Sequence, residues 1–226
     1  GSQMNAVIYK DSLTHLNIFG MATANYHVIR DSLLIGINNV SGDSIMLSFK
    51  NDALNKMKIL GGGLGEFIPE KGNSKVDSTV YYNADYIEYL IDIEKSILKK
   101  DAKVDYGNTM IQSGNIVVDW ITNMLDADKV DEEYPVVSRG GESPMTGESM
   151  RFDLINKKGV IKKGKTNFDN GFYHGKIIQR EEPDIMHVFN SKYTSCELDH
   201  PHYYFGSDKM KMLQGDKIIA RPLTLY

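Results

Sequence analysis

The chain has 226 residues, 41% hydrophobic and 25% charged, with a net charge of −4. That is ordinary globular material, long enough for one large all-β domain or two small domains. The slight acidity, with no basic face, excludes nucleic acid as a partner, and no apolar run reaches the roughly 18 residues of a membrane-spanning helix.

The opening GSQM (residues 1–4) reads as a cloning remnant, which leaves 5–226 as a single elongated domain. From there period two dominates, and no full window keeps a helical period. A first, loose copy of a recurrent phrase starts at Gly42 in "SGDSIMLSF". The glycine-rich stretch 61–75, "GGGLGEFIPEKGNSK", lacks the Lys-Ser/Thr ending of a phosphate loop. It reads as bends in a curved sheet and marks an optional sub-boundary. "NADYIEYLID" is a strand, followed by a turn near Asp92–Lys95 and a return strand that ends in the alternating Val104 and Tyr106.

The phrase is clearest in "SGNIVVDWIT", where Ile116, Val118 and Trp120 alternate with Val117, Asp119 and Ile121, before a turn at Thr122–Asn123. The acidic, Pro- and Gly-bearing stretch Asp128–Gly147 reads as a crossover or mobile loop. "SMRFDLIN" resumes the alternation through Met150, Phe152 and Leu154, with its turn near Asn156–Gly159. Small residues at Ala84, Gly114, Gly147, Gly175 and Gly206 precede the outgoing strands. Subtracting positions gives spacings of 30, 33, 28 and 31 residues, the range of repeat architectures. The fold expected is therefore all-β, built from stacked antiparallel hairpins, each covering the next one's apolar face.

Catalytic chemistry finds little to use. Glu132, Glu133, Glu181, Glu182 and Asp184 sit in acidic, loop-like clusters with no burial to tune a pKa, so no enzyme is expected. Cys196, His200 and His202 in "CELDHPHYYF" have metal-like spacing but only one soft ligand, so neither a metal nor a cofactor is expected. Cys196 is the sole cysteine, either an idle thiol or half of a disulfide whose partner lies outside this chain. What stands out is an apolar payload of 11 Met and 13 Tyr, which suits either an irregular core or greasy ligands.

The repeated phrase ("YYNADYIEYLIDIEKSILKKDAKVDYGNTMIQSGNIVVDWITNMLDAD") resembles the OstA-type repeat of lipopolysaccharide-transport proteins. "VSGDSIMLSF" with "LGGGLGEFIPE" resembles the Bacteroidetes-like OstA segment. "MRFDLINKKGVIKKGKT" and the block containing "KYTSC" and "PHYYF" resemble the LptD group, at the junction of its periplasmic domain with its outer-membrane barrel. The likeness runs from about Ala22 to Tyr226, and a barrel is expected after Tyr226.

The resemblance implies a twisted β-jellyroll, open along one side, in the periplasm and attached to the outer membrane through the barrel. It implies lipopolysaccharide as the ligand, received from an LptA-like bridge protein by edge-strand pairing at about Ala22–Ile37. An LptE-like lipoprotein is implied as a partner of the barrel. The family's Cys-x-Cys near the start of the domain is absent, which leaves the pairing of Cys196 undetermined. On this reading Ile87, Tyr89, Ile116, Val118, Trp120, Met150, Phe152 and Ile178 line the lipid groove. Two rivals remain open: a soluble LptA-like bridge protein, and a carbohydrate-binding or adhesive β-solenoid that uses an exposed Trp120 as a stacking platform.

Overall fold

The computed structural model describes residues 1–168, 171–182, 185–196, 198, 201–213 and 217–226. Strands β1 (Gln3–Tyr9), β2 (Ser12–Arg30), β3 (Leu33–Lys50), β4 (Ala53–Pro69) and β5 (Val80–Leu90) lead through a short 3₁₀ turn (Ile91–Ile93) into β6 (Lys95–Tyr106) and β7 (Thr109–Asp119). Next come β8 (Met124–Asp128), β9 (Val136–Arg139), β10 (Met145–Thr146), β11 (Ser149–Asp153), β12 (Lys158–Phe168) and β13 (Gly171–Glu182). The last are β14 (Ile185–Thr194), β15 (Phe205–Leu213), β16 (Lys217–Arg221) and β17 (Thr224–Leu225). All of them belong to one antiparallel sheet in which each strand pairs with the next along the chain, apart from the short strands β8–β11 and β16–β17.

The sheet is folded over on itself. Tyr82 and Tyr89 lie seven residues apart on β5, which would separate them by about 23 Å in a straight strand. Their ring centroids are 6.2 Å apart, so β5 turns back between them. The pairing register shifts at the corresponding place in successive strands: between Phe19 and Ala22, Leu60 and Gly63, Asn83 and Tyr86, and Lys99 and Ala102. These bulges form a corner that divides the strands into two walls. The first wall holds the halves Ser44–Lys50, Tyr86–Leu90, Asn115–Asp119 and their equivalents. The second holds Ala22–Arg30, Gly63–Pro69, Val80–Ala84 and theirs.

The periodic small residues mark this corner. Ala84, Gly114 and Gly175 lie within strands, not before them as their spacing suggested, and the apparent outgoing strand is only the first-wall half of a longer one; Gly147 stands just ahead of β11, and Gly206 is the second residue of β15. Strands β4, β6, β12 and β14 turn the corner with left-handed residues, Gly61–Gly62, Lys100–Asp101, Lys163 and Asn190. On the intervening strands a side chain from a neighbouring strand packs where a Cβ would go: Ile59 over Gly42, and Val188 over Gly175.

The stretch Asp128–Gly147 is not a plain loop. It contains β9 and β10, with β9 pairing to the lower half of β7 while β8 pairs to the upper half. The excursion between them bulges out at the corner, because Glu133 and Val130 stand where a Cβ of Gly114 would be. The third turn falls two residues early, since Lys158 already begins β12. Asp119 and Asp153 explain the repeated "D" of the phrase. Each accepts two backbone N–H bonds through Oδ1, from Ile121 and Thr122 and from Ile155 and Asn156, and so closes the turn that follows it.

Inside the first wall one apolar residue per strand stands in register across the sheet. The row runs Ile18, Ile45, Ile59, Ile87, Leu98, Ile116, Ala127, Met150, Ile161, Ile178, Val188, Met210, Ala220. All but the two end members are buried. A second row, two residues nearer the turns, includes Leu47, Met57, Tyr89, Val118, Leu125, Phe152, Met186 and Met212. The second wall answers with Val40, Tyr82, Val104, Ile111, Val137, Met145, Tyr173 and Tyr193, the last two stacked at 4.7 Å. Burying one such aliphatic or aromatic side chain contributes about 1.5–3 kcal/mol, so these rows hold the walls together.

Candidate functional site

The site that this arrangement builds is the space between the walls. Every groove residue expected from the sequence faces it. Ile87, Ile116, Met150 and Ile178 are members of the first row; Tyr89, Val118 and Phe152 belong to the second. Trp120 is the first residue past β7, half-buried rather than exposed, with its ring 5.0 Å from Phe67 on the opposite wall. Its indole N–H donates to Ser96 Oγ at 2.7 Å. The ring is turned into the space between the walls instead of standing exposed as a stacking platform.

The interior is not filled uniformly. A cavity of about 100 Å³ lies between Tyr26, Val28, Ile35, Phe67, Tyr89 and Trp120, with Arg30, Lys75, Glu94 and Lys95 at its rim. A smaller one of about 40 Å³ lies among Ile111, Met145, Met150, Phe152, Ile178 and Met186. Between them Ile87, Ile116 and Val118 are packed tight, none more than 2% exposed. The expected residues therefore divide: Tyr89 and Trp120 line the first cavity, and Met150, Phe152 and Ile178 line the second.

One polar chain crosses the apolar space. Tyr89 donates its hydroxyl hydrogen to the Tyr82 hydroxyl, which donates to Asn38 Oδ1. All three side chains are buried, and pairing them removes the cost of leaving a hydroxyl dry. Burial pushes both phenols well above their ordinary value, so they stay neutral donors.

On the side opposite the corner the hairpin ends of the two walls face each other across a seam. Among the described residues no strand pairing crosses it. Side chains bridge it instead. Arg30 ends β2 in the second wall; its guanidinium donates to the Glu94 carboxylate in the first-wall turn and, at 3.2 Å, to the carbonyl of Trp120. Lys157 reaches Asp77 at 2.8 Å. Arg180 pairs with Glu142. Hydrogen bonds from Lys157 and then from Tyr106 hold the Asp77 carboxyl down at about 2. Burial, with the bonded Asp77 beside it, pushes the Tyr106 phenol up to about 12.

Sequence reading missed these bridges because their partners stand 64, 80 and 38 residues apart. It also missed Leu98, Leu125, Ile161 and Val188, although the return strands carry the same alternation and would have revealed them.

Two other expectations change. Of the proposed edge at Ala22–Ile37, the stretch Ala22–Arg30 has an unpaired side among the described residues, because β1 covers β2 only as far as Phe19. Gly36 and Ile37 on β3 are bonded to both β2 and β4. Near the end of the chain, Cys196 Sγ lies 3.6 Å from His202 Nδ1. His200 and Asp184 fall outside the described residues, as does the Glu182 side chain. Among the described residues no three His, Cys, Asp or Glu side chains gather as metal ligands, and no helix is long and apolar enough to cross a membrane.

No family model matches the chain, and no curated protein matches it. Among solved structures it is similar to LptH of Pseudomonas aeruginosa, the LptA-homologous periplasmic component of the conserved lipopolysaccharide transport device. The identity is 14%, over 56% of this chain and 78% of LptH, with a TM-score of 0.42.

Proposed function

We propose that the space between the walls carries the acyl chains of lipopolysaccharide, and that the chain is a periplasmic conduit domain of the LptD kind. It would receive lipid from a bridge protein and pass it to an outer-membrane barrel. The observation that carries this reading is the apolar row of the first wall, which continues through strand after strand without a polar member. A filled core would close the space between the walls, whereas here two cavities remain beside the row. An acyl chain of ten methylenes leaving water gains roughly 8 kcal/mol at about 0.8 kcal/mol per CH₂, so a covered rail suits its transit. The resemblance of the "KYTSC" and "PHYYF" block to the LptD group supports the finer assignment. No step of bond-making is required, so the reading is not that of an enzyme.

A soluble LptA-like bridge is the second reading, favoured by strand edges that are unpaired among the described residues at both ends of the stack, Ala22–Arg30 on β2 and the outer side of β16. Head-to-tail association of the isolated domain at micromolar concentration would favour the bridge.

Photo-reactive residues placed at Ile116, Val118, Phe152 and Ile178 are expected to capture lipopolysaccharide. Placed at Asp119 and Asp153, which cap turns away from the interior, they are not. Capture at the two aspartates equal to that inside, or none inside, would refute the conduit.

A further inference from the structure

We propose that the seam is a lateral port through which an acyl chain enters the interior side-on, and that the ion pairs Arg30–Glu94, Asp77–Lys157 and Glu142–Arg180 latch it shut. The inference rests on the conduit reading and adds to it where the domain opens and what holds it closed.

Space demands an opening. The larger cavity has about 100 Å³, and packed side chains separate it from the smaller one. The walls must part for a chain to lie along the apolar row. Parting them at the corner would break backbone pairing in strand after strand, because strands run through it. Along the seam only side chains have to separate.

The bridges lie where such a port requires them. Each joins the end of a hairpin or strand in one wall to its counterpart in the other, and they succeed one another along the stack. Arg30 and Glu94 stand at the rim of the larger cavity, and Arg180 at the wall of the smaller one. Arg30 also holds the carbonyl of Trp120, so one side chain ties β2 to two successive first-wall turns. The side chains of Arg30 and Glu94 keep 33% and 28% of their exposure, and those of Lys157 and Asp77 keep 45% and 58%. Pairs so accessible to water separate at little cost, which suits a latch better than a weld. Arg180 and Glu142, at 9% and 17%, make the tightest of the three.

The only tryptophan of the chain reports on the port, since the Trp120 ring lines the larger cavity beside Arg30. The probe is an alkyl maltoside with a brominated chain, kept below its micelle concentration. Its uncharged head separates the latch from any attraction between headgroup and protein. Stopped-flow quenching of Trp120 measures entry.

Arg30→Ala and Glu94→Gln should each speed quenching about two- to fivefold, the scale of a partly exposed ion pair. Lys157→Ala should speed it less, because its pair is more exposed. Arg30→Glu combined with Glu94→Arg, which restores the pair with its charges exchanged, should return the rate towards that of the natural protein. Equal rates in all variants would mean entry by the ends of the stack and would overturn the port while leaving the conduit standing. An exchanged pair as fast as the truncations would trace the effect to lost packing or to the lost bond from Arg30 to the Trp120 carbonyl, and would overturn the ion pair as the latch. Absence of quenching in every variant, with all of them folded, would overturn the conduit and the port together.

Discussion

Gly65→Ala should cost this domain about 3 kcal/mol, although it adds a single methyl group at a half-buried position. Gly65 pairs with Tyr82 across β4 and β5, and the Tyr82 ring lies flat over it, so a Cβ would fall inside the ring. Ordinary carbon–carbon contact needs about 3.5 Å, and the ring would have to retreat by more than about 1 Å. It is not free to do so, since its hydroxyl is held between Tyr89 and Asn38 in the buried polar chain. Overpacking of this kind costs about 1–3 kcal/mol, and a buried hydroxyl left unpaired costs a further ~1–3 kcal/mol. Partial relaxation brings the sum to about 3 kcal/mol. At ~2–4 °C per kcal/mol for a domain of this size, the melting temperature should fall by about 6–12 °C. Differential scanning calorimetry gives the shift directly. Tyr82→Ala supplies the control, because in its background Gly65→Ala has nothing to displace and should be close to neutral. A shift below about 2 °C in the natural background, or the same shift with and without the Tyr82 ring, would refute the reasoning.

Ile116→Ala, at a fully buried central position of the first row, should cost about 2–5 kcal/mol in urea denaturation, whereas Ile121→Ala, exposed in the next turn, should cost under ~0.5 kcal/mol. Trp120 should emit as a buried indole and resist acrylamide; quenching as fast as in a free peptide would revive the carbohydrate-binding rival. Asp77→Asn should lower stability by at most about 1 kcal/mol at pH 7, because the pair with Lys157 is exposed. The folded pKa of Asp77, about 2, lies below its unfolded value of about 3.9. Its contribution is therefore complete above pH ~4 and lost as the pH falls through about 2. Urea midpoints of the two proteins should converge over that window, and a gap unchanged at pH 2 would count against the bridge.

The strand pattern was legible because burial on one face of a pleated strand imposes a period of two on the sequence itself. "NIVVD" and "MRFD" declare their inner faces without help from any neighbour. The 30-residue spacing was legible for a related reason, since each pair of strands must turn the same corner and needs a small residue there. What the spacing could not say is that Ala84, Gly114 and Gly175 lie in the middle of strands. A strand that folds at a bulge reads locally like two strands with a break between them.

The second wall was harder to see. Among its inward positions are Tyr26, Asn38, Tyr82 and Tyr106, polar or amphipathic residues whose burial depends on a partner across the interior. Asn38 is an interior residue only because two phenols from another strand reach it. The seam was invisible altogether. Arg30, Asp77 and Glu142 are ordinary surface charges in the sequence, and Glu94, Lys157 and Arg180 are no different. Only the folding of the sheet about its corner brings them together across distances of 38 to 80 residues, and charge pairing over such separations leaves no period in the chain.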